Sequence, residues 1–127
     1  MSIYVYACLV GAGMSEKNSA KEKLTAKALQ YLRDHYMEPF SLDEIAGALF
    51  VNKHYLSRVF SERTGRTLLW QHNELRCEDA RRLLADPDYS IAVVAFRSGF
   101  TSSSHFSRIF RNHTGYTPSE YRRQVLK

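Results

Sequence analysis

Two arginines hold matching places in a sequence pattern that occurs twice in the chain: Arg58 in Tyr-Leu-Ser-Arg-Val-Phe (55–60) and Arg108 in His-Phe-Ser-Arg-Ile-Phe (105–110). A serine precedes each, Ser57 and Ser107, and more polar residues stand one helical turn earlier: Lys53 and His54 in the first copy, Ser103 and Ser104 in the second. A guanidinium presents a fixed fork of donors that matches two acceptors on one edge, as guanine O6 and N7 do. Hydroxyl and imidazole groups can serve either kind of base edge. The chemistry these residues suit is hydrogen bonding to a patterned edge, not bond making. No Ser/His/Asp, paired-carboxylate or Gly-rich phosphate-binding constellation is present, and Cys8 lacks the companion ligands of a methyl-accepting thiol. His35, His72, His105 and His113 show no metal-ligand spacing. No enzyme, cofactor or metal is expected.

The elements that must hold these residues follow from the repeat. Ser41 through Gly65 is the first copy and Ser90 through Gly115 the second; the matches shift by one residue after the middle, so one residue has entered the second copy there. An insertion at that place implies two rigid segments joined by a turn. Ser41 and Glu44 have capping-box spacing and open a short helix whose inward residues are Leu42, Ile45, Ala46 and Leu49. A turn through Phe50 and Val51 follows, Asn52 caps a second helix, Leu56, Val59 and Phe60 form its apolar stripe, and Gly65 stops it. In the second copy Ser90 caps, Ile91, Val94 and Ala95 face inward, and Gly99 turns. Phe100 then packs, Ser102 caps, and Phe106, Ile109 and Phe110 form the stripe. Two copies with the same caps, stripes and stops predict two helix-turn-helix units.

Three further helices are expected. Ala26 to Tyr36, with Ala28, Leu29, Leu32 and Tyr36 on one face, packs on the first unit before Pro39. Leu68 to Leu84 connects the units. Thr117-Pro-Ser-Glu120 opens the last helix. The fold class is all-α with about seven helices. Residues 1–19 read as an arm or linker remnant, 20–66 as the first unit, 67–86 as the connecting helix and 87–127 as the second unit.

The 127 residues hold 18 Lys and Arg against 13 Asp and Glu, a formal charge of +5, which favours an anionic partner. The charge is also polarised: from Arg97 to Lys127 the only acid is Glu120, while others gather at positions such as Glu74, Glu78, Asp79, Asp86 and Asp88. Two cysteines, Cys8 and Cys77, make no disulfide framework, so a reduced, cytoplasmic location is expected, with Cys77 in the core. The apolar run from Ile3 to Met14 is shorter than the roughly 20 residues a bilayer span needs and lacks the basic start of a secretory leader, so no membrane partner is expected.

At 1.5 Å per residue the connecting helix is roughly 25 Å long. With a packed unit at each end, the two second helices would lie about one B-DNA turn apart, roughly 34 Å. Outward residues whose chemistry suits base edges are His54, Ser57, Arg58, Ser103, Ser104, Ser107 and Arg108, and the phosphate candidates are Lys53, Arg63, Arg66, Arg97, Arg111, Arg122 and Arg123.

From Ala20 to Lys127 the sequence resembles the DNA-binding domain of the AraC/XylS family of bacterial transcription regulators. The resemblance rests on Ser-Leu-x-x-Ile-Ala-x-x-Leu with Tyr-Leu-Ser-Arg-Val-Phe, Arg76-x-x-x-Ala80 with Leu83-Leu84, and Gly99-Phe100 through His-Phe-Ser-Arg-Ile-Phe. The closing Thr-Gly-Tyr-Thr-Pro-Ser-Glu-Tyr-Arg-Arg completes it. It implies regulation of transcription, usually activation, by binding double-stranded promoter DNA and contacting RNA polymerase, with an upstream effector or dimerisation domain possible. A protein-interaction adaptor that keeps the fold without reading DNA is the alternative. The chain departs from the family where Gln71-His72 replace an aromatic-aliphatic pair and Cys77 a larger aliphatic; Trp70, one residue early, is expected to supply the missing bulk.

Overall fold

The structure is a computed structural model that describes residues 16–127, and its secondary structure there is helical. Among the described residues the helices are α1 (Glu16–His35), α2 (Leu42–Ala48), α3 (Lys53–Thr64), α4 (Leu68–Leu84), α5 (Ile91–Arg97), α6 (Ser103–Thr114) and α7 (Pro118–Val125). They form two compact units. The first holds α1–α3 and the start of α4, and the second holds residues 36–38 and 73–127. Of the expected arm, residues 1–19, positions 1–15 with Cys8 lie outside the described residues, and 16–19 belong to α1.

In the first unit α1 packs on α3, and α2 on α3. Leu56, Val59 and Phe60 are fully buried, with Leu29, Leu32 and Ile45 also buried. Helix α1 starts ten residues before the Ala26 expected from its apolar pattern. Lys, Glu, Ala and Leu between positions 20 and 27 favour helix intrinsically, and Leu24 and Thr25 carry the buried stripe one turn further back. Gln71 and His72 are themselves buried, with the His72 ring edge-on to Phe40 at 5.4 Å. Trp70 does not replace them in the core: it is half-buried, with the Arg66 guanidinium 3.9 Å from its ring centroid.

In the second unit Cys77, Ala80, Leu83 and Leu84 of α4 pack with Val94, Ala95, Phe100, Phe106 and Phe110, and Tyr121 of α7 closes the cluster edge-on to Phe110. Phe106, Phe110 and Cys77 are fully buried, and burial pushes the Cys77 thiol up to about 12, so it stays a neutral apolar packer. Arg76, 8% exposed, donates from Nε to the Tyr36 carbonyl at 2.6 Å and from Nη2 to the Glu38 carbonyl at 2.8 Å. A buried cation is tolerated because its donors reach acceptors.

The expected N-caps form, and of the box expected at Ser41 and Glu44 the serine half is present, Ser41 Oγ accepting from the Glu44 N–H at 3.2 Å. Ser41, Asn52, Ser90, Ser102 and Thr117 each accept a backbone N–H in the first turn of the helix they open, and Thr117 and Glu120 complete a reciprocal capping box. The stops are duplicated too: Thr64 and Thr114 donate to Phe60 and Phe110 carbonyls at 2.8 Å, and their hydroxyls accept from the backbone N–H of Arg66 and Tyr116 at 3.1 Å.

The two units differ at the turn. Gly99 has φ +93°, and a Cβ there would stand 3.0 Å from Arg76 Nε and 3.3 Å from its Cζ. That arginine is held by its carbonyl bonds and cannot yield without losing them. The matching position in the first unit is Phe50, at φ +58° and 94% exposed, a left-handed conformation a bulky side chain rarely adopts. Gly99→Ala is therefore expected to destabilise the fold by roughly 1–2 kcal/mol or more. Phe50→Gly is expected to stabilise it by up to about 1 kcal/mol, since relief of the left-handed strain exceeds the added flexibility of the unfolded chain. Denaturant unfolding of the two variants checks the opposite signs.

Candidate nucleic-acid interface

Each of α3 and α6 is a twelve-residue helix, and the buried stripe decides what the other face offers. In α3, Asn52 Oδ1 accepts from the N–H groups of His54 at 2.8 Å and Tyr55 at 3.2 Å, which fixes the helix start. With Leu56, Val59 and Phe60 turned inward, His54 and Arg58 are exposed and Ser57 is half-buried. Arg58 keeps 65% of its side-chain exposure while its guanidinium lies 5.4 Å from the Tyr55 ring centroid and its Nε 4.0 Å from Glu62 Oε1. These contacts restrain the fork without covering it.

Helix α6 repeats the arrangement. Ser102 Oγ accepts from the His105 N–H at 3.1 Å. Phe106 and Phe110 are buried and Ile109 is half-buried. Ser103, Ser104 and Arg108 are exposed and Ser107 is half-buried. Within each unit, the expected base-reading residues thus share the outward side of one helix.

The expected phosphate set divides. Arg66, Arg97, Arg111 and Arg123 are exposed, with Arg66 on Trp70 and Arg97 5.1 Å from the Tyr89 ring centroid. Lys53 is partly exposed, with its Nζ 3.0 Å from Asp43 Oδ1. Arg63 and Arg122 are turned inward. Arg63, with 15% side-chain exposure, lies 3.8 Å from Glu22 Oε1 of α1. Arg122 donates from Nε to the Leu84 carbonyl at 3.0 Å and from Nη2 to the Asp86 carbonyl at 3.2 Å, satisfying the end of α4. The sequence reading missed the aromatic supports. Tyr55 stands at i−3 from Arg58 on α3, a spacing that could have signalled it; Arg66 precedes α4, so helical spacing gave no signal for Trp70.

The C-terminal ends of both outward helices are tied to a neighbouring carboxylate. Where α3 uses Arg63 with Glu22, α6 uses His113, whose Nδ1 lies 3.2 Å from Glu74 Oε1 of α4; Arg81 Nη2 lies 3.4 Å from the same oxygen. Burial works against the Glu74 carboxylate, but the His113 hydrogen bond and the charges of Arg81 and His113 outweigh it and hold the group below its ordinary value. Among the described residues no cluster of His, Cys, Asp and Glu could hold a metal ion, and no helix is long and apolar enough to cross a membrane.

Comparison with known proteins matches residues 45–124 to a helix-turn-helix domain family. The transcriptional activator RhaS of Escherichia fergusonii is 37% identical over 94 residues, which is 74% of this chain and 34% of that protein. A transcriptional regulator of Chromobacterium violaceum, described as containing an AraC-type DNA-binding domain, superposes with a TM-score of 0.75 at 32% identity, covering 86% of this chain and 97% of that one. The DNA-binding domain of AdpA, solved in complex with a target DNA, superposes with a TM-score of 0.70 at 30% identity, covering 79% and 90%. The chain spans about a third to two-fifths of the length of the curated relatives it matches.

The Glu74 contact gives a signed pH dependence. A carboxyl held low in the folded state adds stability that is fully present above its unfolded value and is lost as pH falls through the folded one. Glu74→Gln is expected to cost roughly 1–3 kcal/mol at neutral pH. The gap from the parent protein should close as pH drops below about 4. Denaturant unfolding of both proteins from neutral to acid pH measures it, and a gap that persists unchanged in acid contradicts the assignment.

Proposed function

The chain belongs to the AraC/XylS family of transcription regulators, as a helix-turn-helix DNA-binding domain, and we propose that it reads double-stranded promoter DNA with α3 and α6 in successive major grooves. The observation that supports this most directly is the matched outward set. Ser57 and Arg58 in one helix and Ser107 and Arg108 in the other take the same positions opposite the same buried stripe. His54 joins the first set and Ser103 and Ser104 the second. Arg58 and Arg108 suit bidentate bonding to guanine, and the serines either base edges or the phosphates beside them. Lys53, Arg66, Arg97, Arg111 and Arg123 neutralise phosphates, whereas Arg63 and Arg122 serve the fold. A seventeen-residue helix between the units, about 25 Å of rise, suits a spacing of one helical turn on a single face of the duplex.

An activating role is the reading that the similarity to the activator RhaS supports; contact with RNA polymerase and a cytoplasmic location are part of the proposal. No catalytic step is part of it.

Selection of bound duplexes from a random pool supplies a cognate site on which the reading is tested. Arg58→Ala and Arg108→Ala are each expected to weaken binding by roughly 1–3 kcal/mol, about 5- to 150-fold in Kd, and to relax preference at one base pair while thermal stability stays nearly unchanged. With five phosphate contacts, log K should fall against log[salt] with a slope of about −4 to −5, and Arg111→Ala should reduce its magnitude by about 1. Variants that bind normally, or an affinity flat in salt, would instead fit a protein-interaction adaptor.

A further inference from the structure

The internal repeat offers a comparison of the chain with itself. On the first helix of each unit, four positions form one exposed face: 43, 44, 47 and 48 on α2, and 92, 93, 96 and 97 on α5. On α2 they are Asp, Glu, Gly and Ala. On α5 they are Ala, Val, Phe and Arg. Both helices pack inward through matched residues, Ile45 and Ala46 in one and Val94 and Ala95 in the other, so the divergence is confined to the outward side. Phe96 is 79% exposed and Val93 40%. Together with Met37, Ala92 and Phe100 they line an open apolar groove in the second unit, where Arg97 is the only charged lining residue. Nothing in the folding of α5 requires an exposed phenylalanine there, as α2 shows with a glycine.

We propose that this groove docks the α2 face of a second copy of the chain. The occupant must supply a carboxylate for Arg97 and an apolar surface without bulk for Phe96 and Val93. The α2 face has both. Asp43 and Glu44 stand in its first turn, and one turn on, Gly47 and Ala48 are exposed, with open space around the position a Gly47 Cβ would take. With the two helices antiparallel, Arg97 faces the acidic first turn of the partner while Val93 faces its Gly47 and the Phe96 ring covers the backbone between. Charge complementarity fixes that direction, because Asp43 is already paired with Lys53 and the reverse alignment would set Arg97 against Ala48, a turn away from Glu44. The two faces are different surfaces, so the contact is heterologous and generates head-to-tail rows rather than a closed pair. Arg97 cannot hold a partner's carboxylate and a phosphate at once, so the row is an assembly of the DNA-free chain that DNA binding competes with. The area of one short helix face puts the contact in the weak, transient class.

Sedimentation velocity of the whole 127-residue chain without DNA tests this independently of base reading, from about 10 μM to about 1 mM, the span of weak association. The parent chain should self-associate reversibly with rising concentration. Phe96→Ser and Arg97→Glu should each lower the association constant about tenfold or more. Combining Arg97→Glu with Glu44→Arg should restore most of it. All three positions are exposed, so unchanged helical circular dichroism and melting confirm that each variant is folded. A chain that stays monomeric throughout overturns the proposal, as does association indifferent to Phe96. Loss with Phe96→Ser but no recovery in the double charge reversal overturns it as well, and shows that the groove takes another surface of a second copy, such as the same α5 face.

Discussion

A helix of twelve residues has one face to bury and one to offer, and burying the first decides the second. In α3 the inward positions are Leu56, Val59 and Phe60, each fully buried. At 1.5–3 kcal/mol for burying one large apolar side chain, roughly, these three stripe residues outweigh any preference of the polar residues between them. Ser57 and Arg58 have no freedom to turn inward without lifting that stripe from the core. The same constraint acts on α6 through Phe106 and Phe110. A pair of outward polar faces is therefore a consequence of packing, and each small unit closes around two or three aromatic and aliphatic anchors with its caps and stops in the same places.

The duplication also separates what the fold needs from what each copy is free to change. Asn52 and Ser102 cap, Thr64 and Thr114 bond the preceding carbonyl, and the C-terminal turn of each outward helix is held to a carboxylate, by Arg63 in one copy and His113 in the other. Phe50 and Gly99 share a left-handed turn, yet only the glycine is enforced by a neighbour, since Arg76 fills the space a Cβ would take. In the first unit the Phe50 side chain has solvent around it, so the strain is local and the position tolerates it. The outward faces of α2 and α5 diverge most, from acidic and small to apolar and cationic.

Much of this was legible in the sequence because it is local. Caps, stops and the i, i+3, i+4 stripes depend on residues within one or two turns, and the bounds of α4 fell where Thr67 and the Asp86-Pro87 pair implied. What was not legible depends on contacts distant in the chain. Arg122 looked like a phosphate contact because nothing nearby in sequence competes for it, whereas its partners are the Leu84 and Asp86 carbonyls, 38 and 36 residues away. Arg63 is held by a glutamate on α1, a helix whose first ten residues the apolar pattern did not reveal because their stripe is thin: Leu24 and Thr25 are buried there among lysines. Gln71 and His72 were read as a packing defect to be filled by Trp70, but both are buried and Trp70 supports Arg66 at the surface.

Hydroxyl-radical footprinting of one chain on a selected duplex, with stoichiometry read in the same sample, addresses most directly whether a single molecule grips two adjacent grooves. One chain per duplex should protect two patches about 10 base pairs apart on the same face, and inserting about five base pairs between them should leave only one patch protected. A single patch from the start, a second patch that appears only with a second chain, or protection indifferent to the insertion would contradict it.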